Sequence, residues 1–185
     1  MLQQLSKLDI ANGLGWEVNG VSYSIAWGDW DNDGDLDLAS GGNPYGAEKV
    51  SVYENTNGIL QLDIANGLGW EGNNSTSSVA WGDWDNDGDL DLAAGTRVYE
   101  NENGTLKLDP ANNLGWNGGG TSNSVAWGDW DNDGDLDLGI GDLDDVTVYE
   151  NDEGTLKLDP IGGFGWSGSG GGGSTIAWGD WDNDG

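Results

Sequence analysis

Polar and apolar residues along this chain alternate in twos instead of cycling every three or four positions. "SVAWGDW" (78–84) alternates small and aromatic residues, "LDLAAG" (90–95) follows a short acidic stretch, and "VTVYEN" (146–151) and "TLKLD" (155–159) alternate again. A period of two places successive side chains on opposite faces of a strand. The last two segments are separated by Asn57-Gly58, Asn103-Gly104 or Glu153-Gly154 in successive copies. Asn-Gly accepts positive φ at both turn positions and closes a two-residue hairpin with the twist that paired strands require. The unit so predicted is a four-stranded antiparallel meander.

The unit recurs. "WGDWDNDGDLDL" stands at 27–38, 81–92 and 127–138 and begins again at Trp178, with first-Trp spacings of 54, 46 and 51 residues. Periods of this size belong to propeller blades and similar arrays. Nearly all the length variation falls in one loop, "ASGGNPYGAEKVSV", "AAGTRV" or "GIGDLDDVTV" in turn. The predicted organisation is an outer strand of an incomplete blade at 1–10, a crossover at 11–23 and blade 1 at 24–63. A crossover at 64–77, blade 2 at 78–109, a crossover at 110–123 and blade 3 at 124–159 follow. A Gly-rich crossover at 160–173 leads to 174–185, the first strand and truncated acidic loop of a further blade. The Leu-Gly-Trp of each crossover, Phe-Gly-Trp in the last, argues for an ordered connection. The fold class is therefore all-β, a β-propeller-type repeat array of about three complete blades with partial blades at both ends.

Composition narrows the chemistry. Gly is 35 of 185 residues, Trp 12, Cys and His both zero, and 34 acidic residues against 5 basic ones give a formal charge of −29. Acid-rich chains with few aromatics are disordered, whereas 10% aromatic content with strong alternation favours a fold. The charge repels phosphates and anionic lipid, which argues against nucleic acid and membrane insertion. Without His or Cys, zinc, haem and iron–sulfur sites lose their usual ligands, and a His base or Cys nucleophile is excluded. Oxygen ligands remain. No segment reads as a signal peptide or membrane span, so a leader was removed or the chain begins inside a larger protein.

The acidic loop supplies those oxygens. From Asp29 the pattern is D-x-D-x-D-G-x-x-D: Asp29, Asp31, Asp33, Gly34 and Asp37. Alternate carboxylates of a tight loop can converge on one ion, and a glycine at the sixth position permits the sharp bend, as in the first three-quarters of an EF-hand loop. Strands flank it in place of helices, and position 12 carries no Glu. Position 7 donates a main-chain carbonyl in such loops, so Asp35, Asp89 and Asp135 are expected to ligate through the backbone with side chains turned to solvent. The second site comprises Asp83, Asp85, Asp87, Asp89 and Asp91, and the third Asp129, Asp131, Asp133, Asp135 and Asp137. The fourth has Asp180, Asp182 and Asp184, lacks positions 7 and 9, and is expected to bind weakly or not at all. A solvated acidic turn is the competing reading. Four carboxylates within about 5 Å of one point repel by several kcal/mol without a cation, and hard oxygen donors in that number suit Ca²⁺ better than Mg²⁺. The expected cofactor is Ca²⁺, in three complete sites and one truncated.

"SVAWGDWDNDGDLDLAAG" followed by "VYENENGTL" resembles the FG-GAP/VCBS repeat, found in the β-propeller of integrin α-subunits and in many bacterial secreted and surface proteins. The resemblance covers essentially the whole chain. It implies a calcium loop between the innermost and second strands of each blade, an extracellular or cell-surface setting, and rings of usually seven blades. The sequence departs in having three complete units and in carrying Trp30, Trp84, Trp130 and Trp181 where the family often has Phe.

Rings need about four to eight blades. The expected partners are therefore other copies of the chain or the rest of a longer propeller, with glycans or a surface protein as further candidates. Trp27, Trp81, Trp127 and Trp178 lie on innermost strands and are expected to fill contacts between blades; for Trp16, Trp70, Trp116 and Trp166 a core ring and a sugar-stacking ring are equally open. The sequons at Asn73, Asn74 and Asn103 read as incidental. Every clustered Asp is accounted for by calcium, and no Glu pair, Ser-His or Lys site stands outside the repeat, which argues against an enzyme. The function expected is a calcium-stabilised extracellular repeat for adhesion or structural assembly, with a propeller-type lectin as the alternative.

Overall fold

In the computed structural model, residues 21–43, 49–63, 78–109, 124–141, 146–158 and 175–179 are described. The partial blade at 1–10, the four crossovers, the Leu-Gly-Trp motifs and the fourth acidic loop, with Asp180, Asp182 and Asp184, lie outside these residues or nearly so.

The described residues form three four-stranded antiparallel sheets, each a meander in chain order. The first contains β1 (Val21–Gly28), β2 (Asp37–Asn43), β3 (Lys49–Thr56) and β4 (Ile59–Leu62). The second contains β5 (Val79–Gly82), β6 (Asp91–Ala94), β7 (Arg97–Asn101) and β8 (Leu106–Leu108). The third contains β9 (Ser124–Gly128), β10 (Asp137–Gly141), β11 (Val146–Asn151) and β12 (Leu156–Leu158). These are the blade-like repeats read from the alternation. Each acidic loop joins the first strand of a sheet to the second, and Trp27, Trp81 and Trp127 pair with Leu38, Leu92 and Leu138 in identical register. The outer hairpins turn as their Gly residues require: Asn57 and Gly58 have φ of 55° and 82°, and the equivalent pairs in the other sheets are also positive.

A single sheet has no interior, so the core lies between sheets. One cluster joins Trp30, Ala39, Val50 and Val52 of the first blade to Val79, Leu92, Ala94, Tyr99 and Leu106 of the second. The next joins Trp84, Ala93 and Val98 of the second to Val125, Leu138, Ile140 and Leu156 of the third. Strand β6 shows the consequence of period two: Leu92 and Ala94 enter one cluster and Ala93 the other, and all four of its residues are buried. Blade 2 is covered on both faces.

The Trp expectations divide. Trp81 and Trp127 are half-buried between blades, as is Trp178, but Trp27 is 52% exposed, a correction to its expected place in the core. The physical reason is positional. Trp81 and Trp127 each lean on the preceding blade, and no described residue precedes β1. Conversely Trp30 and Trp84, set apart only by their departure from Phe, are each 3% exposed because the following blade covers them.

Candidate metal centre

Each acidic loop is shaped by its own carboxylates. Asp31 accepts from the Asp33 N–H at 3.2 Å, Asp33 from the Asp35 N–H at 2.9 Å, and Asp29 from the Gly34 N–H at 3.0 Å. The same three bonds recur in the second loop at 3.2, 2.9 and 3.1 Å and in the third at 3.2, 2.9 and 3.0 Å. Two residues take the left-handed conformation that the winding demands: Asn32 at φ 59° and Gly34 at φ 96°, repeated closely in both other loops. Asn tolerates this region and Gly carries no penalty there.

The winding draws carboxylates together. One oxygen from each of Asp29, Asp31 and Asp33 lies within 4.8 Å of the other two; the same holds for Asp83, Asp85 and Asp91, and for Asp129, Asp131 and Asp137. Position 5 completes the first group and position 9 the other two. Oxygen Oδ1 of Asp29 and of Asp83 is buried without a hydrogen-bond partner. A buried carboxylate oxygen left unpaired carries a desolvation cost that a cation would remove.

Position 9 has a second duty. Asp37 is fully buried, with one oxygen accepting from the Trp30 N–H at 3.2 Å and the other from the Asn55 N–H at 2.7 Å. Asp91 does the same with Trp84 and Asn101, and Asp137 with Trp130 and Asn151. The residue thus ties the loop entry to the third strand of its sheet. Burial raises the Asp37 carboxyl to about 6 and the Asp91 carboxyl to about 7, against the lowering effect of these backbone bonds, and raises Asp137 for the same reason. Asp31 and Asp85 are also raised, first by burial, with repulsion from neighbouring carboxylates adding to it. A divalent cation would reverse this preference for the neutral acid.

The side chains at position 7 are half-exposed, as expected of groups turned toward solvent, but they are also hydrogen-bonded. Asp35 accepts from the Asn57 N–H at 3.1 Å, and Asp89 from the Asn103 N–H at 3.1 Å, fastening the loop to the outer hairpin of its own blade. Asp89 also accepts from the Asn32 side chain at 2.8 Å, and Asp135 from the Asn86 side chain at 2.8 Å, so neighbouring loops are linked. Only at Asp89 do the hairpin and the neighbouring loop approach the same carboxylate; Asp35 meets the hairpin and Asp135 the neighbouring loop.

Sequence reasoning also passed over Asn55, Asn101 and Asn151. Asn101 is fully buried: its Oδ1 accepts from the Gly104 N–H at 2.8 Å, while its Nδ2 donates to the Leu90 carbonyl at 3.1 Å and to the Trp30 carbonyl of the preceding blade at 2.6 Å. Asn151 repeats all three bonds, reaching Trp84. Asn55 makes the two local ones, to Gly58 and Leu36. The signal was available in the "YEN" that recurs at or next to the end of each third strand. Its role was invisible because one partner lies 71 residues away.

Geometry and composition agree with the family comparison. No curated protein matches the chain significantly. Residues 29–94 match the model of the FG-GAP-like repeat, from the first residue of the first acidic loop to the end of β6. The same loop, strand order and register recur in the third sheet, and the chain as a whole is consistent with an FG-GAP-like repeat protein.

Proposed function

We propose that the chain is a calcium-stabilised extracellular repeat module serving adhesion or structural assembly. The observation that carries the calcium reading is the pair of buried, unpartnered Oδ1 atoms of Asp29 and Asp83, each within an acidic group of a loop whose backbone is already wound. The donors are all carboxylate or carbonyl oxygens, which fit Ca²⁺. Asp29, Asp31, Asp33 and Asp37 with the Asp35 carbonyl would hold the ion in the first blade; Asp83, Asp85, Asp87 and Asp91 with the Asp89 carbonyl in the second; Asp129, Asp131, Asp133 and Asp137 with the Asp135 carbonyl in the third. The cation would neutralise the carboxylates where they crowd most.

Calcium affinities of extracellular modules, about 0.1 to 1 mM, match an environment where calcium is always abundant. FG-GAP-like repeats and a charge of −29 support that setting and a binding role in place of catalysis. A sugar-stacking role for the rings is less well supported, since Trp30 and Trp84 are buried and Trp81 and Trp127 are engaged between blades.

A ligand bound only by the folded state stabilises it by roughly 4 kcal/mol at a thousand times its dissociation constant. Thermal unfolding followed by circular dichroism should therefore shift upward with millimolar Ca²⁺ and return with chelator, while the Asp29→Asn/Asp83→Asn/Asp129→Asn variant should lose most of that shift. A melting curve indifferent to calcium would overturn the reading.

A further inference from the structure

The joint between blades is made three times with the same parts. The indole N–H of Trp81 donates to the Ala26 carbonyl at 3.2 Å, that of Trp127 to Ala80 at 3.2 Å, and that of Trp178 to Ala126 at 3.0 Å. Two residues earlier, the N–H of Val79 donates to the Ser24 hydroxyl at 3.2 Å, that of Val125 to Ser78 at 3.0 Å, and that of Ile176 to Ser124 at 3.1 Å. Each Trp ring also lies over a glycine. A Cβ at Gly28 would come within 2.9 Å of Trp81, one at Gly82 within 2.6 Å of Trp127, and one at Gly128 within 2.4 Å of Trp178.

Every innermost strand therefore carries two halves of a joint on opposite faces. Its Val or Ile and its Trp form a plug; its Ser, Ala and Gly form a seat. Blade 1 presents the plug to solvent: Ile25 is 59% and Trp27 52% exposed, whereas Val79 and Val125, at the Ile25 position, are each 5% exposed. Tyr23, also exposed, extends the same stripe. At the far end of the described residues, Thr175, Ala177 and Gly179 present the seat. All three are exposed, and a Cβ at Gly179 would meet nothing within 4 Å.

We infer that the two half-joints mate between copies of this chain. Trp27 of one copy covers Gly179 of the next, its indole N–H donating to the Ala177 carbonyl and the Ile25 N–H to the Thr175 hydroxyl, as in the joints inside the molecule. A second copy is the fitting occupant because plug and seat match in hydroxyl, carbonyl and glycine position, a pattern the molecule already satisfies three times. Since the two ends differ, the contact is head-to-tail and generates a ring or a fibre according to whether its rotation closes. The inference deepens the assembly part of the proposed function and is independent of calcium binding.

The test is light scattering of the 185-residue chain in calcium over a dilution series, with Trp27→Ser and Gly179→Val variants. Both positions are exposed, so circular dichroism and the calcium-dependent melting shift should be unchanged in each variant. Wild type should exceed monomer mass and grow with concentration. Each variant alone should stay monomeric, one lacking the plug and the other having a blocked seat. An equimolar mixture of the two should give a dimer and nothing larger, because only the seat of the first and the plug of the second survive. A monomeric wild type, variants that assemble like wild type, or a mixture that stays monomeric or grows beyond a dimer would each overturn the inference. Assembly without a calcium-dependent melting shift would overturn the calcium reading alone.

Discussion

Blades 1 and 2 share "AWGDWDNDGDLDL" residue for residue, yet the shared residues have different surroundings. Trp27 is 52% exposed, while Trp81 rests on Gly28 and donates to Ala26. At the other end of the array the difference reverses: Trp84 is 3% exposed under blade 3, and Trp130 is 37% exposed. Burial in this molecule belongs to the joint and not to the blade. A blade supplies half of two apolar layers, and identical sequence is core or surface according to which neighbours are present.

The largest test of that difference replaces each ring. Trp84→Ala removes a buried indole and should cost about 3–5 kcal/mol, the range for large-to-small changes at aromatic core positions. Trp130→Ala, in the same loop position but partly open to solvent, should cost well under half as much. Urea unfolding of the two variants in saturating calcium reads the comparison, and equal losses would show that the loop itself, not the covering blade, holds the ring.

A smaller contrast concerns the Asn residues. Asn101→Ala leaves the Trp30 carbonyl of the preceding blade and the turn N–H of Gly104 without their partner, and should cost about 1–3 kcal/mol. Asn55→Ala removes only local bonds from a half-exposed position and should cost less. Amide hydrogen exchange should show the first opening the loop of blade 1 as well as its own. Protection lost only within blade 2 would count against the bridge.

The finest contrast is a titration of the metal-free chain. Asp91 is raised from 3.8 to about 7, and Asp37 to about 6, because the middle blade is desolvated on both faces. The folded state keeps a proton that the unfolded chain surrenders above about pH 4. The contribution to stability is therefore complete below about pH 4 and is lost as pH rises, through about 6 for Asp37 and about 7 for Asp91. Carboxyl carbon NMR should give the later midpoint to Asp91, and added calcium should offset the loss at higher pH by favouring the ionised acids.

Much of this was legible beforehand because it is local. Alternation in "VTVYEN" reports a strand whatever lies beside it, Asn57-Gly58 specifies its own turn, and the Asp spacing of the loops draws carboxylates together through bonds spanning two to five residues. What was missed depends on distance in the chain. Whether Trp27 is covered is decided by a neighbouring blade, Asp89 receives Asn32 from 57 residues earlier, and Asn101 reaches Trp30 across 71. A repeat sequence states each unit's parts equally clearly and leaves unsaid which of them a neighbour will use.

The Asn101 bridge also sets an order of events. The Trp30 carbonyl in the first acidic loop is secured by a side chain 71 residues downstream, and the Trp84 carbonyl by Asn151, 67 residues downstream. During synthesis each loop therefore leaves the ribosome long before its latch does. The first loop acquires its last hydrogen bond only when the third strand of the second blade has formed, so the array matures one blade behind the growing chain, and each new blade finishes the one made before it.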